Sequence, residues 1–246
     1  MVAKTDQKAR LLDLTTSVLE LVRDGKRDSG AVCDVLQLIK DKPNFVQELF
    51  PEKSSPAPKV AGQRTGFRSL IRDWQKFYHK YFPNLKVNFS NLQIPPRPEG
   101  FDFLIVVLKG ITSNQIVTAM RRAGIQVSLY TEDLDSIKSD RDSTQTYAIW
   151  VKNRQEADTE LKNLSANNIK EMGLKTETLL ERLLHGFKFW DETHTHLDIH
   201  SVTLCSGSRY PNGYVPYVDW GGGEVRVCLY YPSRAGGFLR ARSAVS

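Results

Sequence analysis

The run "HTHLDIH" sets His194, His196 and His200 around Asp198. Two imidazoles at i and i+2 share one side of a strand and can meet a Zn²⁺ ion, with a carboxylate as a further ligand. That arrangement would suit a metal-dependent hydrolase. The run, however, stands where a helical pattern gives way to strands, a junction that attracts polar residues in any case. No HExxH, no Cys-x-x-Cys and no matching distant carboxylate pair accompanies it. Hydrolysis through His194, His196 and Asp198 is therefore the alternative, and no metal or cofactor is expected. "CSGSRY" (205–210) faintly resembles a nucleophile loop, but it leads to strands where a nucleophile elbow needs a helix. "WGGGEV" is glycine-rich, yet no helix follows whose N-terminus could hold a phosphate. The acidic stretch 132–145 lacks the spacing and the glycine of a calcium loop, so a solvated loop is expected there. Nothing in these patterns points to an enzyme.

The C-terminal residues suggest contact chemistry instead. Lys, Gln, Glu, Met and Trp make up 44 of the first 205 residues. At that rate 206–246 would hold roughly nine; it holds two, Trp220 and Glu224. Codons for the missing types all end in A or G. The types present, among them Tyr, Gly, Ser, Asp and Arg, are reached from an Asn codon by changing its two adenines. Strands also disfavour Lys, Glu and Gln, so composition alone does not decide the matter. Alternation sharpens it. In "EVRVCLYY", Val225 and Val227 point one way while Arg226, Cys228 and Tyr230 point the other. In "YVPYVDW", Val218 and Trp220 oppose Tyr217 and Asp219. One face reads as framework, the other as the Tyr, Gly, Ser, Arg and Asp that binding loops favour.

These residues need elements to hold them. Residues 5–25 carry an apolar helical stripe, Val32, Val35, Leu36 and Ile39 mark a second helix, and "NFVQELF" a third. Together 1–50 form a helical segment that can pack on itself, on the body or on another copy. Residues 51–65 read as a linker. "GFRSLIRDWQKFYHKYF" (66–82) is an aromatic and basic helix, expected to pack rather than to touch nucleic acid. "FDFLIVVL" (strand), "SNQIVTAMRRAG" (helix, with Ser113 as N-cap) and "IQVSLYT" (strand) suggest a β-α-β unit with a helix over a sheet. "TYAIWV" is a strand. "EADTELKNLSANNIKEMG" is expected to be helical in its first half. Residues 176–194 form a strong amphipathic helix started by Thr176 or Thr178. Short strands follow at 201–205, 214–220 and 224–231, with "GGG" as a hairpin turn.

The net charge of +6 is uneven. Residues 1–98 carry 17 basic against 10 acidic side chains, so nucleic acid is a third, less favoured partner there. The longest apolar run is a buried strand and not a membrane span. The charged first residues are unlike a signal peptide, and a cytoplasmic protein is expected. Cys33, Cys205 and Cys228 lack metal spacing and read as free thiols, with Cys205–Cys228 the one bridge worth testing.

The run "YAIWVKNRQEADTELKNLSA…TLLERLL…HLDIHSVTLCSGSRYPNGYVPYVDW…LRARSAVS" resembles the variable proteins of diversity-generating retroelements. The likeness covers about 66–246 and is strongest from 146 onward. It implies an α+β protein with a C-type lectin-like C-terminal domain (core about 100–246) behind a helical N-terminal region. It further implies a hypervariable segment at about 206–246, rewritten by copying with errors at adenines, and a variable, protein ligand. Asn is scarce in the segment, so this chain would be a diversified copy. On the resemblance, the framework is Gly207, Arg209, Val215, Pro216, Val218, Trp220, Val225, Val227, Leu239, Arg240 and Arg242. The binding surface is Tyr210, Tyr214, Tyr217, Asp219, Gly221, Gly222, Arg226, Cys228, Leu229, Tyr230, Arg234, Ala235 and Gly236. Two or three of these tyrosines are expected to pack rather than to contact ligand. Calcium-dependent sugar binding is not expected, because only Asn212, Asp219 and Glu224 are on offer as ligands.

Overall fold

A computed structural model describes residues 16, 19–26 and 66–246 of the chain. The chain divides into two compact units, Met1–Gln63 and Arg64–Ser246. In the first, residues 19–23 are helical, inside the helix expected over 5–25. Gly25 closes that helix at φ +69°, where Lys26 N–H donates to Leu21 O at 2.8 Å, the pairing of a glycine C-cap. The second and third expected helices, the linker and Cys33 lie outside the described residues.

The second unit opens with α1 (Phe67–Tyr81). Its apolar stripe is a packing face: Trp74, Phe77 and Tyr78 are buried. The Trp74 indole donates to Leu104 O at 2.9 Å and the Tyr78 hydroxyl to Val106 O at 2.7 Å. Both acceptors lie on β1 (Phe103–Val107), an unbroken apolar run buried at every position, as a strand covered on both faces must be. β1 pairs antiparallel with a strand at Tyr147–Val151.

α2 (Ser113–Arg122) follows β1, capped by Thr112 and not by Ser113. The Thr112 side chain accepts from Gln115 N–H while the Gln115 side chain accepts from Thr112 N–H, a capping box. β2 (Val127–Leu129) then joins a different sheet from β1, so the expected β-α-β unit over one sheet does not form. The acidic stretch is pinned rather than merely solvated. It contains β3 (Lys138–Ser139), which pairs with a strand at Ser208–Arg209, and Arg141 reaches in to the buried Glu181. β4 is the Tyr147–Val151 strand. Its Trp150 also bridges to Val245 near the end of the chain.

The helix expected in 156–164 forms instead in the second half of that segment. Only a 3-10 turn (Thr159–Leu161) precedes α3 (Ala166–Glu171). Asp158 is buried, accepting from Ser243 N–H and pairing with Lys152, which fixes the first half in irregular backbone. Ser165 and Asn168 form the capping box that starts α3. α4 (Leu179–Thr193) is capped by Thr178 and buries Leu179, Leu183, Leu184 and Phe187 against the main core. The remaining strands are β5 (Val202–Leu204), β6 (Ser208–Arg209), β7 (Val215–Gly221), β8 (Glu224–Tyr230) and β9 (Leu239–Arg240). The larger sheet runs in the order β2-β8-β7-β5-β9, so β7 and β8 stand inside it and both its edges are short strands.

Candidate binding face

The β7–β8 hairpin turns on Gly222 and Gly223, at φ +67° and +85°. A two-residue turn with both central residues at positive φ matches the twist of the strands it joins, and glycine takes it without strain. The register then sorts the hairpin. Val218 faces Val227 and Trp220 faces Val225, and the three valines are buried in the main core. On the other side Tyr217 faces Cys228, Asp219 faces Arg226 and Gly221 faces Glu224. Tyr217 and Tyr230 stack there at 4.4 Å, with planes 20° apart, and the Arg234 guanidinium lies 5.8 Å from the Tyr230 ring. Tyr214 meets Tyr231 edge-on at 4.7 Å. Arg226 grips Asp219 through two hydrogen bonds, one of them Nε to Oδ1 at 3.1 Å. A Cβ on Gly221 would lie 2.5 Å from that guanidinium, so glycine makes room for it.

Several expected contact residues are buried or lie on the opposite face. Tyr210 is 5 % exposed, and its ring packs edge-on to Tyr130 at 6.2 Å. Asp219 is also 5 % exposed, spent on Arg226. Leu229 opposes Pro216 and falls on the face of Val225 and Val227, because strand alternation leaves it no place beside Tyr230. Cys205 and Cys228 are free thiols, not a bridge, with Cys205 buried. Tyr214, Tyr217, Gly221, Cys228, Tyr230 and Gly236 are half-buried, and Gly222, Arg226, Arg234 and Ala235 are exposed. One end of the face is closed by α3, whose Ala166 packs with Leu204 and Val215 under Tyr217 and Tyr230.

The face also gains residues that composition could not reveal. β2 lies parallel to β8, with Ser128 opposite Arg226, and Tyr130 N–H donates to Val227 O at 2.8 Å. Ser128 and Tyr130 thus continue the row of Arg226 and Cys228, and Tyr130 is 60 % exposed. The only local signal was a Tyr at alternating spacing after Ser128.

The histidine run has a different role. His194 caps α4 in the left-handed conformation, at φ +55°. His196 stacks on Trp220 at 3.6 Å and 5°, and burial, with Arg182 nearby, lowers its pKa to about 4. Asp198 is fully buried at φ +59°. Arg182 donates to it at 2.7 and 3.0 Å and Arg242 at 2.6 Å, and Ala157 N–H and the Thr203 hydroxyl add further bonds. Burial alone would raise its pKa, but Arg242 and Arg182 hold the carboxyl below its ordinary value. Among the described residues, no three His, Cys, Asp or Glu side chains are placed to hold a metal ion. Beside this network Glu177 and His185 share a buried 2.7 Å hydrogen bond. Burial pushes Glu177 up to about 7 and His185 well below its ordinary value.

Much of the basic stretch 1–98 lies outside the described residues; in its described part the aromatic stripe of α1 is packed. Among the described residues no helix is long and apolar enough to cross a membrane. Compared with known protein families, curated proteins and solved structures, the chain matches none of them.

Proposed function

We propose that this chain is a non-catalytic recognition protein that binds a protein ligand on the outer face of β7 and β8. On this proposal the body is C-type lectin-like, and residues 206–246 are rewritten by a diversity-generating retroelement. The observation that carries the reading is the hairpin register. It sends Val218, Val225 and Val227 into the main core and sets Tyr217, Arg226, Cys228 and Tyr230 on the other side, where Val215 alone of the hairpin's valines packs beneath the two tyrosines. A surface that varies without unfolding its scaffold needs that separation. The restricted alphabet of the segment and its tyrosines support the reading as well. A tyrosine offers a large, rigid contact at low entropic cost.

The test is a library on this body, randomised at Tyr214, Tyr217, Arg226, Cys228, Tyr230 and Arg234. Most members should still fold cooperatively, with Tm lowered by the modest packing and ion-pair losses at Tyr217, Tyr230 and Arg226, and selection against unrelated proteins should yield binders. A library that mostly unfolds sinks the proposal. The retroelement itself is tested in the genome. A reverse transcriptase beside a near-copy of the 3′ end, differing at adenines, is expected, and its absence removes that part.

A further inference from the structure

Tyr210 is a buried phenol with an unspent hydroxyl. The residue is 5 % exposed, yet its hydroxyl has no hydrogen-bond partner. A buried polar group in that state calls for an explanation. Burial, with Cys228, Cys205 and Tyr130 around it, raises its pKa, so the hydroxyl stays protonated and remains a donor. Of those neighbours Cys205 is buried and Cys228 half-buried, and both are short. Tyr130 alone is a large exposed ring, standing edge-on to Tyr210 at the strand edge of the face. It directly follows β2, far before the segment 206–246.

We infer that Tyr130 is a constant part of the ligand site, and that a protein ligand seats by displacing its ring and giving the Tyr210 hydroxyl a main-chain carbonyl as acceptor. The inference rests on the binding face proposed above and adds what the ligand must bring. A neutral acceptor fits better than a carboxylate. No Lys or Arg is among the groups that act on the hydroxyl, and a buried anion there would lack a counter-charge. An extended peptide segment offers such carbonyls freely.

The test uses the full chain and short peptides selected on it from a random phage-display library. Peptide affinity is measured on the parent and on Tyr217→Ala and Tyr210→Phe. Tyr210→Phe should weaken binding about tenfold, the effect of one lost hydrogen bond. Its Tm should match or exceed that of the parent, since the deleted hydroxyl had no partner. In protein labelled with 3-fluorotyrosine, the resonance that disappears in Tyr130→Phe should shift when peptide is added. Peptides weakened by Tyr217→Ala but indifferent to Tyr210→Phe overturn this inference and leave the face standing, and so does an unmoved Tyr130 resonance. Peptides indifferent to Tyr217→Ala overturn the face, and the inference with it.

Discussion

The guanidinium of Arg242 donates to the Asp198 carboxylate at 2.6 Å, and both side chains are almost wholly buried. Arg242 also donates to Arg154 O and Gln155 O, so one side chain joins three distant parts of the chain. Arg182 of α4 takes the other carboxylate oxygen. This knot fixes the loop before β5 and the segment after β9, and so the sheet that carries the face. Asp198→Asn would leave two buried guanidinium groups without their anion. Stability should fall by about 3–5 kcal/mol in urea unfolding. Zinc added to the parent should leave Tm unchanged; a rise in Tm would restore the metal reading of the histidine run.

Glu177 and His185 make a pH prediction with a definite sign. The folded pKa of Glu177, about 7, lies above its ordinary 4.5, so its contribution is lost as pH rises through that window. His185 is lowered in the folded state, so its contribution is lost as pH falls below its ordinary 6.5. Between about 5 and 6.5 the two oppose each other, and stability should be nearly flat where these groups dominate. Glu177→Gln removes one limb. Its stability should climb with pH from about 5 to 6.5, which chemical denaturation at a series of pH values would show. A flat profile in the variant contradicts the assignment.

The elements legible in the sequence are those whose determinants are local. The helix at 179–193 carries its own capping box in Thr178 and Glu181, and its apolar stripe is continuous. The β7–β8 hairpin carries its own turn and its own alternation. The illegible parts depend on distant partners. A helix pattern in 156–164 yields to Asp158, which is held by Ser243 N–H 85 residues away. β2 could be recognised as a strand, but its pairing with β8 could not, and with it Tyr130 stayed hidden. Asp198 looked like a ligand because the two arginines that occupy it lie 16 residues before it and 44 after it.

Gly221→Ala tests how the face is held open. The added methyl would meet the Arg226 guanidinium, the far end of a flexible side chain, so the arginine should swing away from Asp219. Asp219 is then left buried with its main partner displaced. A loss of about 1 kcal/mol is expected, small because Arg226 is half exposed. In the double variant Gly221→Ala with Arg226→Ala the two losses should not add, since both remove the same ion pair. Additive losses would show that Gly221 matters for another reason.

Tyr217 and Tyr230 separate contact from packing. They stack on each other and lie against the small cluster of Ala166, Leu204 and Val215. Tyr231 is 64 % exposed and stands edge-on to Tyr214. Tyr231→Ala should therefore cost less than about 0.5 kcal/mol, as surface substitutions do. Tyr217→Ala and Tyr230→Ala should each cost about 1–2 kcal/mol, from a lost aromatic pair and partial burial, without unfolding the domain. Tm values in that order, together with weaker binding of any selected ligand by Tyr217→Ala, fit a face whose aromatic residues rest on the scaffold without forming its core. Unfolding of both Tyr217→Ala and Tyr230→Ala would make the pair part of the core, and the outer face of β7 and β8 would then be unfit to vary.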